Sequence, residues 1–396
     1  MYNQESYALG SKRSSIREIF EYAKLRAEQI GAENVFDFSI GNPSVPVPDE
    51  VEKTLIRLVE KTPSIRLHGY TSAQGDKTVR DKIAQNYSAR FCVALSGDDL
   101  YMTCGAAASL TICLRALYEK GDEVVVIAPY FAEYRVFVEG TGAKLVVAPS
   151  DEKTLLPDFQ ALANAITQNT KAVIVNTPNN PSGVVYDEQV LQKLSALLKE
   201  KSEQYGKPIF LIADEPYREL VYDKTTPILS PMRYYENTLV CYSYSKALSL
   251  PGERIGYIAV SPQAVNAKAL YASVCGAGRM LGFVCAPSLF QYLVAECDGL
   301  TADLQVYKRN RDLLYNALRS YGFTCVYPQG AFYLFVKSPE KDAKAFCKKA
   351  QEKELLFVAG DDFGYEGWVR IAYCVQTERI ERALPFFKAL AQEYQL

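Results

Sequence analysis

Residues 239–256 read LVCYSYSKALSLPGERIG, an apolar strand followed by hydroxyl side chains, a lysine and an arginine. Lys246 comes directly after the strand, on an apolar stretch that is a poor place for a surface residue. An ammonium loses its proton more readily when it is desolvated or lies near another cation, and Arg254 follows eight residues later. The stretch favours a nucleophilic amine that attacks carbonyl groups. The alternative is an ordinary exposed lysine.

Short apolar strands alternate with helices from about residue 76 to residue 260. The strands lack a regular apolar–polar alternation, which is typical of strands buried on both faces of a mostly parallel sheet. Such an order predicts an α/β fold with right-handed crossovers and helices on both sides of the sheet. The predicted strands are residues 124–127, 144–147, 172–175, 209–213, 239–242 and 254–260.

The pattern changes after residue 290 and predicts a smaller α+β domain. The N-terminal helix, predicted to begin at Ser14, and a strand at 36–40 precede the parallel sheet and are assigned to this domain. The predicted boundaries are 46–287 for the large domain, and 1–45 with 288–396 for the small one. The predicted C-terminal elements are a helical stretch at 288–320, strands at 323–326, 332–336 and 368–372, and helices at 340–353 and from 377.

Composition excludes several function classes. The 396 residues carry a net charge of −2 with a pI of about 5.8, which favours neither nucleic acid nor an anionic membrane as a partner. The ten cysteines form no CxxC pair and His68 is the only histidine, so a metal site and a histidine-based triad are not expected. The N-terminus is polar and no run approaches the ~20 apolar residues of a membrane span. We therefore expect a cytoplasmic protein with free thiols.

Residues suited to binding a ligand follow several of the strands, and ligands of open parallel sheets bind at the carboxyl ends of strands. Gly105, Ala106 and Ala107 begin a helix, whose free N–H groups suit an anion such as phosphate. The alternative is an alanine-rich helix start without a ligand. Phe131 follows the strand 124–127 and could stack on a flat heterocycle or simply pack in the core.

Two further strands are followed by polar side chains. Residues 176–183 read NTPNNPSG, a rigid turn in which we expect a cis X-Pro bond and a hydrogen-bonding Asn180. Asp214 ends the strand 209–213, and a buried acid is unfavourable without a partner. A protonated ring nitrogen would be one partner, and Tyr217 adds a hydroxyl three residues on. The alternative for Asp214 is the N-cap of a following helix.

Taken together, these motifs resemble the class I/II aminotransferase family of fold-type I pyridoxal-phosphate enzymes over nearly the whole chain. The most diagnostic stretch is Ser-x-Ser-Lys followed by Gly-x-Arg-x-Gly at 243–256. Asn-x-Pro-x-Asn-Pro-Ser-Gly at 176–183 and Asp-Glu-Pro-Tyr at 214–217 agree with it. Tyr70 with Gly75, residues 330–333 and residues 369–371 complete the resemblance.

The resemblance implies a large domain with a mostly parallel seven-stranded sheet flanked by helices, and a small α+β domain made from the N- and C-terminal segments. It implies exchange of an amino group between an L-amino acid and a 2-oxo acid by a ping-pong mechanism. Lys246 would form the internal aldimine with pyridoxal 5′-phosphate. Asp214 would keep the ring nitrogen protonated, while Tyr217 and Asn180 would contact the phenolic oxygen.

The remaining roles also follow from the resemblance. Phe131 would stack on the cofactor ring, and the phosphate would be held at the helix start that Gly105 precedes. Its ligands would be the amides of Ala106 and Ala107 with Ser243, Ser245 and Arg254. Tyr70 would reach the phosphate of the neighbouring subunit, which implies a homodimer. A departure from the family pattern is Ala106–Ala108, where relatives often place a glycine and a polar side chain.

The substrate would be held by the C-terminal part of the chain. Arg370 would bind the α-carboxylate, with help from Asn180 and the backbone of Gly41. Ile16 and Tyr333 could line the side-chain pocket, although core packing explains them equally well.

Two questions stay open from the sequence. The same cofactor also supports C–S lyase, decarboxylase and synthase reactions, because the outcome depends on which bond of the substrate aligns with the ring. A dicarboxylate substrate needs a second cation, and Arg279, in an expected loop near the dimer seam, is a weak candidate.

Overall fold

The computed structural model describes residues 2–11 and 15–396. The predicted helix start at Ser14 lies outside these residues, and the helix is present from Ser15. The helices are α1 (Gln4–Ser11), α2 (Ser15–Ile30), α3 (Asp49–Lys61), α4 (Ser64–His68), α5 (Lys77–Phe91), α6 (Ala106–Leu117), α7 (Glu133–Glu139), α8 (Phe159–Ala165), α9 (Glu188–Tyr205), α10 (Tyr244–Ala247), α11 (Ala267–Met280), α12 (Ser288–Cys297), α13 (Leu304–Ser320), α14 (Ala343–Gln351) and α15 (Thr377–Glu393). The strands are β1 (Phe36–Asp37), β2 (Leu100–Thr103), β3 (Glu123–Ile127), β4 (Lys144–Ala148), β5 (Thr170–Asn176), β6 (Phe210–Asp214), β7 (Thr238–Ser243), β8 (Gly256–Val260), β9 (Tyr333–Lys337), β10 (Leu355–Leu356), β11 (Val358–Ala359) and β12 (Trp368–Ala372).

The large sheet has seven strands in the order β2-β8-β7-β6-β5-β3-β4. Strand β8 runs antiparallel to both of its neighbours, and the other adjacent pairs are parallel. The predicted mostly parallel seven-stranded sheet is therefore confirmed. The strand order reverses between β5 and β3, and such a reversal opens a crevice beyond the carboxyl ends of the strands.

Apolar side chains on both faces of the sheet hold it between two layers of helices. In β3, Val125 belongs to one core cluster while Val124 and Val126 belong to the cluster on the other face. This alternation follows the two-residue period of a strand, and both faces are covered. It explains why the strands contain apolar runs without polar alternation.

The smaller part is built around the antiparallel sheet β11-β12-β9, with β1 paired in parallel to β10. Its own apolar cluster combines β1 with residues from α13 to α15. The N-terminal strand thus packs with the C-terminal segment.

Two predicted elements of this part are wrong in detail. The helical stretch 288–320 is divided into α12 and α13, because Gly299 has a φ of 90° and Asp303 caps a new helix. The predicted strand 323–326 is reduced to one bridge between Cys325 and Val336.

Helix α12 packs against α3, α4 and α5. The domain boundaries stay a prediction.

Over residues 2–11 and 15–396, no helix has the length and apolar character that crossing a membrane requires. The same residues contain no group of three or more His, Cys, Asp or Glu side chains placed to hold a metal ion.

The buried centre of the sheet carries the stability of the large part. Ile212 in β6 is fully buried, so Ile212→Ala removes packed methyl groups and leaves a cavity; we expect the free energy of unfolding to fall by about 3 kcal/mol. Val147 in the edge strand β4 is 37% exposed, and Val147→Ala is the matched control, with a loss below about 1 kcal/mol. Urea unfolding followed by circular dichroism measures both. Equal losses would contradict this account of the core.

Candidate active site

A cavity of about 330 Å³ lies at the carboxyl ends of the central strands, between the large sheet and the smaller part. Strands β5, β6 and β7 end in residues that line it, and β12 contributes a side chain from the smaller sheet. The predicted site residues that line it are Ile16, Gly41, Ala106, Ala107, Phe131, Asn180, Asp214, Tyr217, Ser243, Ser245, Lys246, Arg254 and Arg370. Tyr333, named as a possible pocket residue, also lines it.

Lys246 projects its amine into this cavity from the short helix α10, which Ser243 caps through the backbone N–H of Ser245. Its Nζ donates a hydrogen bond to the carbonyl oxygen of Gly41 at 2.7 Å. Burial of the amine, with smaller effects of Arg254 and Arg370, lowers the pKa of Lys246 to about 8. About a tenth of the amine is therefore neutral at pH 7, and this form is able to attack a carbonyl.

Asp214 is a buried carboxyl at the end of β6 with one oxygen unpartnered. Oδ2 accepts a hydrogen bond from the hydroxyl of Tyr134 at 2.5 Å, and Oδ1 has no hydrogen-bond partner. Burial raises the pKa of Asp214 to about 7; Tyr134 opposes this rise, and the neighbouring Glu215 adds to it. A turn follows Asp214, so it caps no helix and that alternative is wrong. The orphan oxygen needs a donor from a ligand.

Two residues around Asp214 were not identified from the sequence. Tyr134 lies in α7, three residues after Phe131, and the two rings meet edge to face at 5.6 Å. Asn176 donates from Nδ2 to the backbone oxygen of Asp214 at 2.8 Å and accepts from the N–H of Asn180 at 2.7 Å. Phe131 lies before α7 begins at Glu133, so no helical spacing relates the two rings, and the sequence offered no signal for Tyr134.

An anion-binding cradle lies at the start of α6. Gly105 precedes the helix with a φ of 87°, and the first-turn amides of α6 have no partner within the helix. A Cβ on Gly105 would lie 3.0 Å from Nη2 of Arg254, so the glycine lets the guanidinium approach the helix start. Arg254 Nη1 also lies 3.4 Å from Oγ of Ser245, which accepts from Ser243 at 2.8 Å.

Arg370 is a buried cation at the other side of the cavity, 2% exposed. Its Nη1 donates to Oδ1 of Asn180 at 3.0 Å and its Nη2 to the backbone oxygen of Ser39 at 2.5 Å. The rings of Tyr333 and Phe363 lie 4.6 and 4.8 Å from the guanidinium carbon. Nε has no hydrogen-bond partner, so the guanidinium keeps a donor for a carboxylate.

The turn that carries Asn180 contains the expected kind of proline bond. The peptide bonds Thr177-Pro178 and Asn180-Pro181 are both cis, which confirms the expected cis X-Pro bond. Beside it, the hydroxyls of Tyr217 and Tyr333 are 2.9 Å apart, so Tyr333 belongs to the polar network and not only to the pocket wall.

Two residues with a predicted role, Tyr70 and Arg279, lie apart from the cavity of this chain, as does His68, to which no role was assigned. Tyr70 is 99% exposed, and His68 near it is also exposed. Arg279 is exposed in the last turn of α11, so the expectation of a loop was wrong, and it does not line the cavity. Its proposed contact with a distal carboxylate could only come from another subunit.

Comparisons with known proteins agree with this geometry. A sequence profile described as aminotransferase class I and II matches residues 33–387. An aspartate aminotransferase of Thermotoga maritima is 30% identical over 91% of this chain and 93% of its own length. The crystal structure of an aminotransferase from Eubacterium rectale covers 100% of both chains, with 54% identity and a TM-score of 0.98. The aspartate aminotransferase of Thermus thermophilus with maleate gives 26% identity and a TM-score of 0.83 over 96% of this chain and 97% of its own.

The fold and the site define a transferase of fold-type I. The chain belongs to the class I and II aminotransferase family and is an aminotransferase. Membership implies pyridoxal phosphate as the cofactor, and an amino acid and an oxo acid as the substrates.

The described residues fit this cofactor. The orphan oxygen of Asp214 suits a protonated ring nitrogen, and the cradle between Gly105 and Arg254 suits a phosphate. The amine of Lys246 lines the same cavity and suits an aldehyde.

The cradle leads to a prediction for Gly105→Ala. The new Cβ must displace Arg254, so we expect the affinity for pyridoxal phosphate to fall at least tenfold. Gly121→Ala is the matched control, because Gly121 also has a positive φ, of 97°, but has open space around it. Fluorescence titration of both variants with pyridoxal phosphate measures the effect. A similar loss in Gly121→Ala would assign it to backbone strain.

Asp214 leads to a prediction about pH. In the cofactor-free chain the pKa of Asp214 is raised. Between about pH 4 and pH 7 the folded state therefore holds a proton that the unfolded state has already released. The proton on Asp214 adds about 4 kcal/mol to the free energy of unfolding. This stabilisation is fully present below about pH 4 and is lost as the pH rises to about 7. Asp214→Asn should remove this part of the slope of the free energy of unfolding against pH. Urea unfolding at a series of pH values would show the change. An unchanged slope would contradict the raised pKa.

Proposed function

We propose that the chain exchanges the amino group between an L-amino acid and a 2-oxo acid by a ping-pong mechanism, with pyridoxal phosphate held covalently by Lys246. The observation that carries the proposal is a buried amine of lowered pKa in one cavity with an orphan carboxylate oxygen and an anion cradle. These are the three groups that an aldehyde, a ring nitrogen and a phosphate require.

The cofactor would be held by side chains already placed for it. Asp214 would accept a hydrogen bond from the ring nitrogen through Oδ1, while Tyr134 holds Oδ2. Phe131 would cover the ring, and Tyr217 and Asn180 would hydrogen-bond its phenolic oxygen. The phosphate would bind the amides of Ala106 and Ala107 with Ser243, Ser245 and Arg254.

Bound pyridoxal phosphate supplies a carbonyl carbon for the amino group and a protonated ring that accepts the electrons of the substrate Cα–H bond. Arg370 would hold the substrate α-carboxylate with Asn180, and the rings of Tyr333 and Phe363 would keep water from the guanidinium. Lys246 Nζ would carry the proton from Cα, since its lowered pKa makes it a base near neutral pH. Gly41 would position that amine through its carbonyl oxygen, and Ile16 would border the substrate side chain.

We further propose a cytoplasmic homodimer in which Tyr70 reaches the phosphate of the neighbouring site. In the single chain Tyr70 is almost wholly exposed, and Ile65 in α4 and Met280 at the end of α11 are 87% and 72% exposed. A neighbouring subunit that covered these side chains would remove their apolar surface from water. A role for Arg279 with a distal carboxylate stays a prediction for the same dimer.

The experiment that tests the proposal is an absorbance spectrum of the purified protein with pyridoxal phosphate, before and after single L-amino acids are added. Aspartate is the first donor to try, since it is named for the Thermotoga relative. Replacement of the lysine-bound band by that of pyridoxamine phosphate supports transamination. A persistent band with release of pyruvate or ammonia would move the function to a lyase.

The Lys246→Ala variant tests the central role. We expect turnover to fall by at least a thousandfold, because the amine that moves the proton is gone. The cofactor should stay bound but leave on gel filtration in denaturant, without the lysine-bound absorbance band. Lys268→Ala, an exposed lysine in α11, is the control and should keep both activity and band. Normal turnover in Lys246→Ala would remove the assignment.

A further inference from the structure

A buried ion pair, Glu215 with Arg218, lies directly beside Asp214 in the chain. Neither residue lines the cavity. Glu215 follows Asp214 in the chain and is 1% exposed, and its partner Arg218 is 4% exposed. Nε of Arg218 donates to Oε2 of Glu215 at 2.5 Å, and Nη2 contacts the same oxygen. The pair is thus fully buried and one residue from the acid proposed to hold the cofactor ring.

The guanidinium of Arg218 has a fixed position. Its carbon lies 4.3 Å from the ring centre of Tyr242 and 5.2 Å from those of Tyr87 and Phe91. Nη1 donates to the hydroxyl of Tyr257 at 3.0 Å. A planar cation held between aromatic rings cannot turn towards solvent, so its charge stays beside Glu215.

Glu215 is the charged group closest to Asp214 in the chain. The groups that face Asp214 are Tyr134 from α7, Cys241 from β7 and Tyr217 from the following turn, and Lys246 lines the same cavity. Burial raises the pKa of Tyr134, of Tyr217 and of Cys241 well above their ordinary values, so these three are neutral at physiological pH.

The charge on Glu215 therefore acts on Asp214 unless it is balanced. A like charge nearby disfavours ionisation of a carboxyl group, and the charge of Glu215, the next residue in the chain and buried like Asp214, has this effect on Asp214. Oε1 of Glu215 has no hydrogen-bond partner, so Arg218 carries most of the compensation. Burial raises the pKa of Glu215 and Arg218 opposes that rise, so without this cation a buried acidic group would remain uncompensated next to Asp214.

We propose that Arg218 is a positioning residue for the transamination, because its charge balances Glu215 and so limits the protonation of Asp214, which leaves this carboxyl group available to a protonated ring nitrogen. This inference rests on the proposed function in one respect, the contact between Asp214 and the ring. Arg218 itself touches neither cofactor nor substrate. It acts through Glu215 on the carboxylate that does.

The test uses changes that remove charge and keep volume. Glu215→Gln removes the like charge, Arg218→Met removes its counter-charge, and the double variant removes both. Glu219→Gln is the matched control, since Glu219 is 6% exposed and forms a bidentate pair with Arg90 at 2.7 and 2.6 Å. The control removes a charge of the same sign from a similar pair, four residues further along the chain.

The first measurement is the titration of the Asp214 carboxyl by ¹³C NMR in the full chain without cofactor, assigned with Asp214→Asn. We expect the proton affinity of Asp214 to fall about tenfold in Glu215→Gln and to rise about tenfold in Arg218→Met. The double variant should return close to the native value, and Glu219→Gln should not change it. Shifts of the same sign in both single variants, or an equal shift in Glu219→Gln, would overturn the proposal.

The second measurement is the ¹⁵N shift of the ring nitrogen of bound, ¹⁵N-labelled pyridoxal phosphate. We expect Arg218→Met to reduce its protonation and the double variant to restore it. An unchanged shift in Arg218→Met would overturn the effect on the cofactor. If the native chain did not bind the labelled cofactor, the proposed function would fail, while the carboxyl titration would still decide whether Arg218 controls Asp214. Should Arg218→Met not fold, Glu215→Gln decides, because the proposal requires a lower proton affinity there.

Discussion

The removal of water from a lysine and an aspartate at one edge of a parallel sheet is the constraint on which this structure depends. Burial favours the neutral forms of both groups, which lowers the pKa of Lys246 and raises that of Asp214. A polar group in such a place is unfavourable unless a partner meets it. One oxygen of Asp214 has no partner, so a ligand with a protonated nitrogen would supply the missing donor, and an aldehyde would react with the amine of Lys246.

The fold creates that constraint through the direction of its strands. Strands β5, β6 and β7 are mutually parallel neighbours, so Asn176, Asp214 and Ser243 end at the same edge although they are far apart in the chain. Helix α6 begins at this edge with free amides, and β12 of the smaller sheet brings Arg370 against Asn180. Opposite ends of the cavity therefore belong to different sheets, which separates the start of α6 from Arg370.

Much of this arrangement could be predicted from the sequence, because the informative residues follow apolar runs. Lys246, Asp214 and Asn180 each come directly after a strand, and the rule for parallel sheets brings such residues together. Tyr134 could not be found in this way, since its contact with Asp214 joins residues 80 apart and depends on how α7 packs. The break between α12 and α13 was missed because a single glycine with positive φ ended an otherwise continuous apolar pattern.

The polar surroundings of Asp214 modify the effect of its burial. Tyr134 fixes one oxygen and is neutral, so it orients the carboxyl without balancing its charge. The buried charges next to it belong to Glu215 and Arg218, which are held in place by aromatic rings. A fixed pair changes little when a ligand binds, so the field at Asp214 is set before the cofactor arrives. Such preorganisation is the condition under which electrostatic interactions in a dry site are most effective.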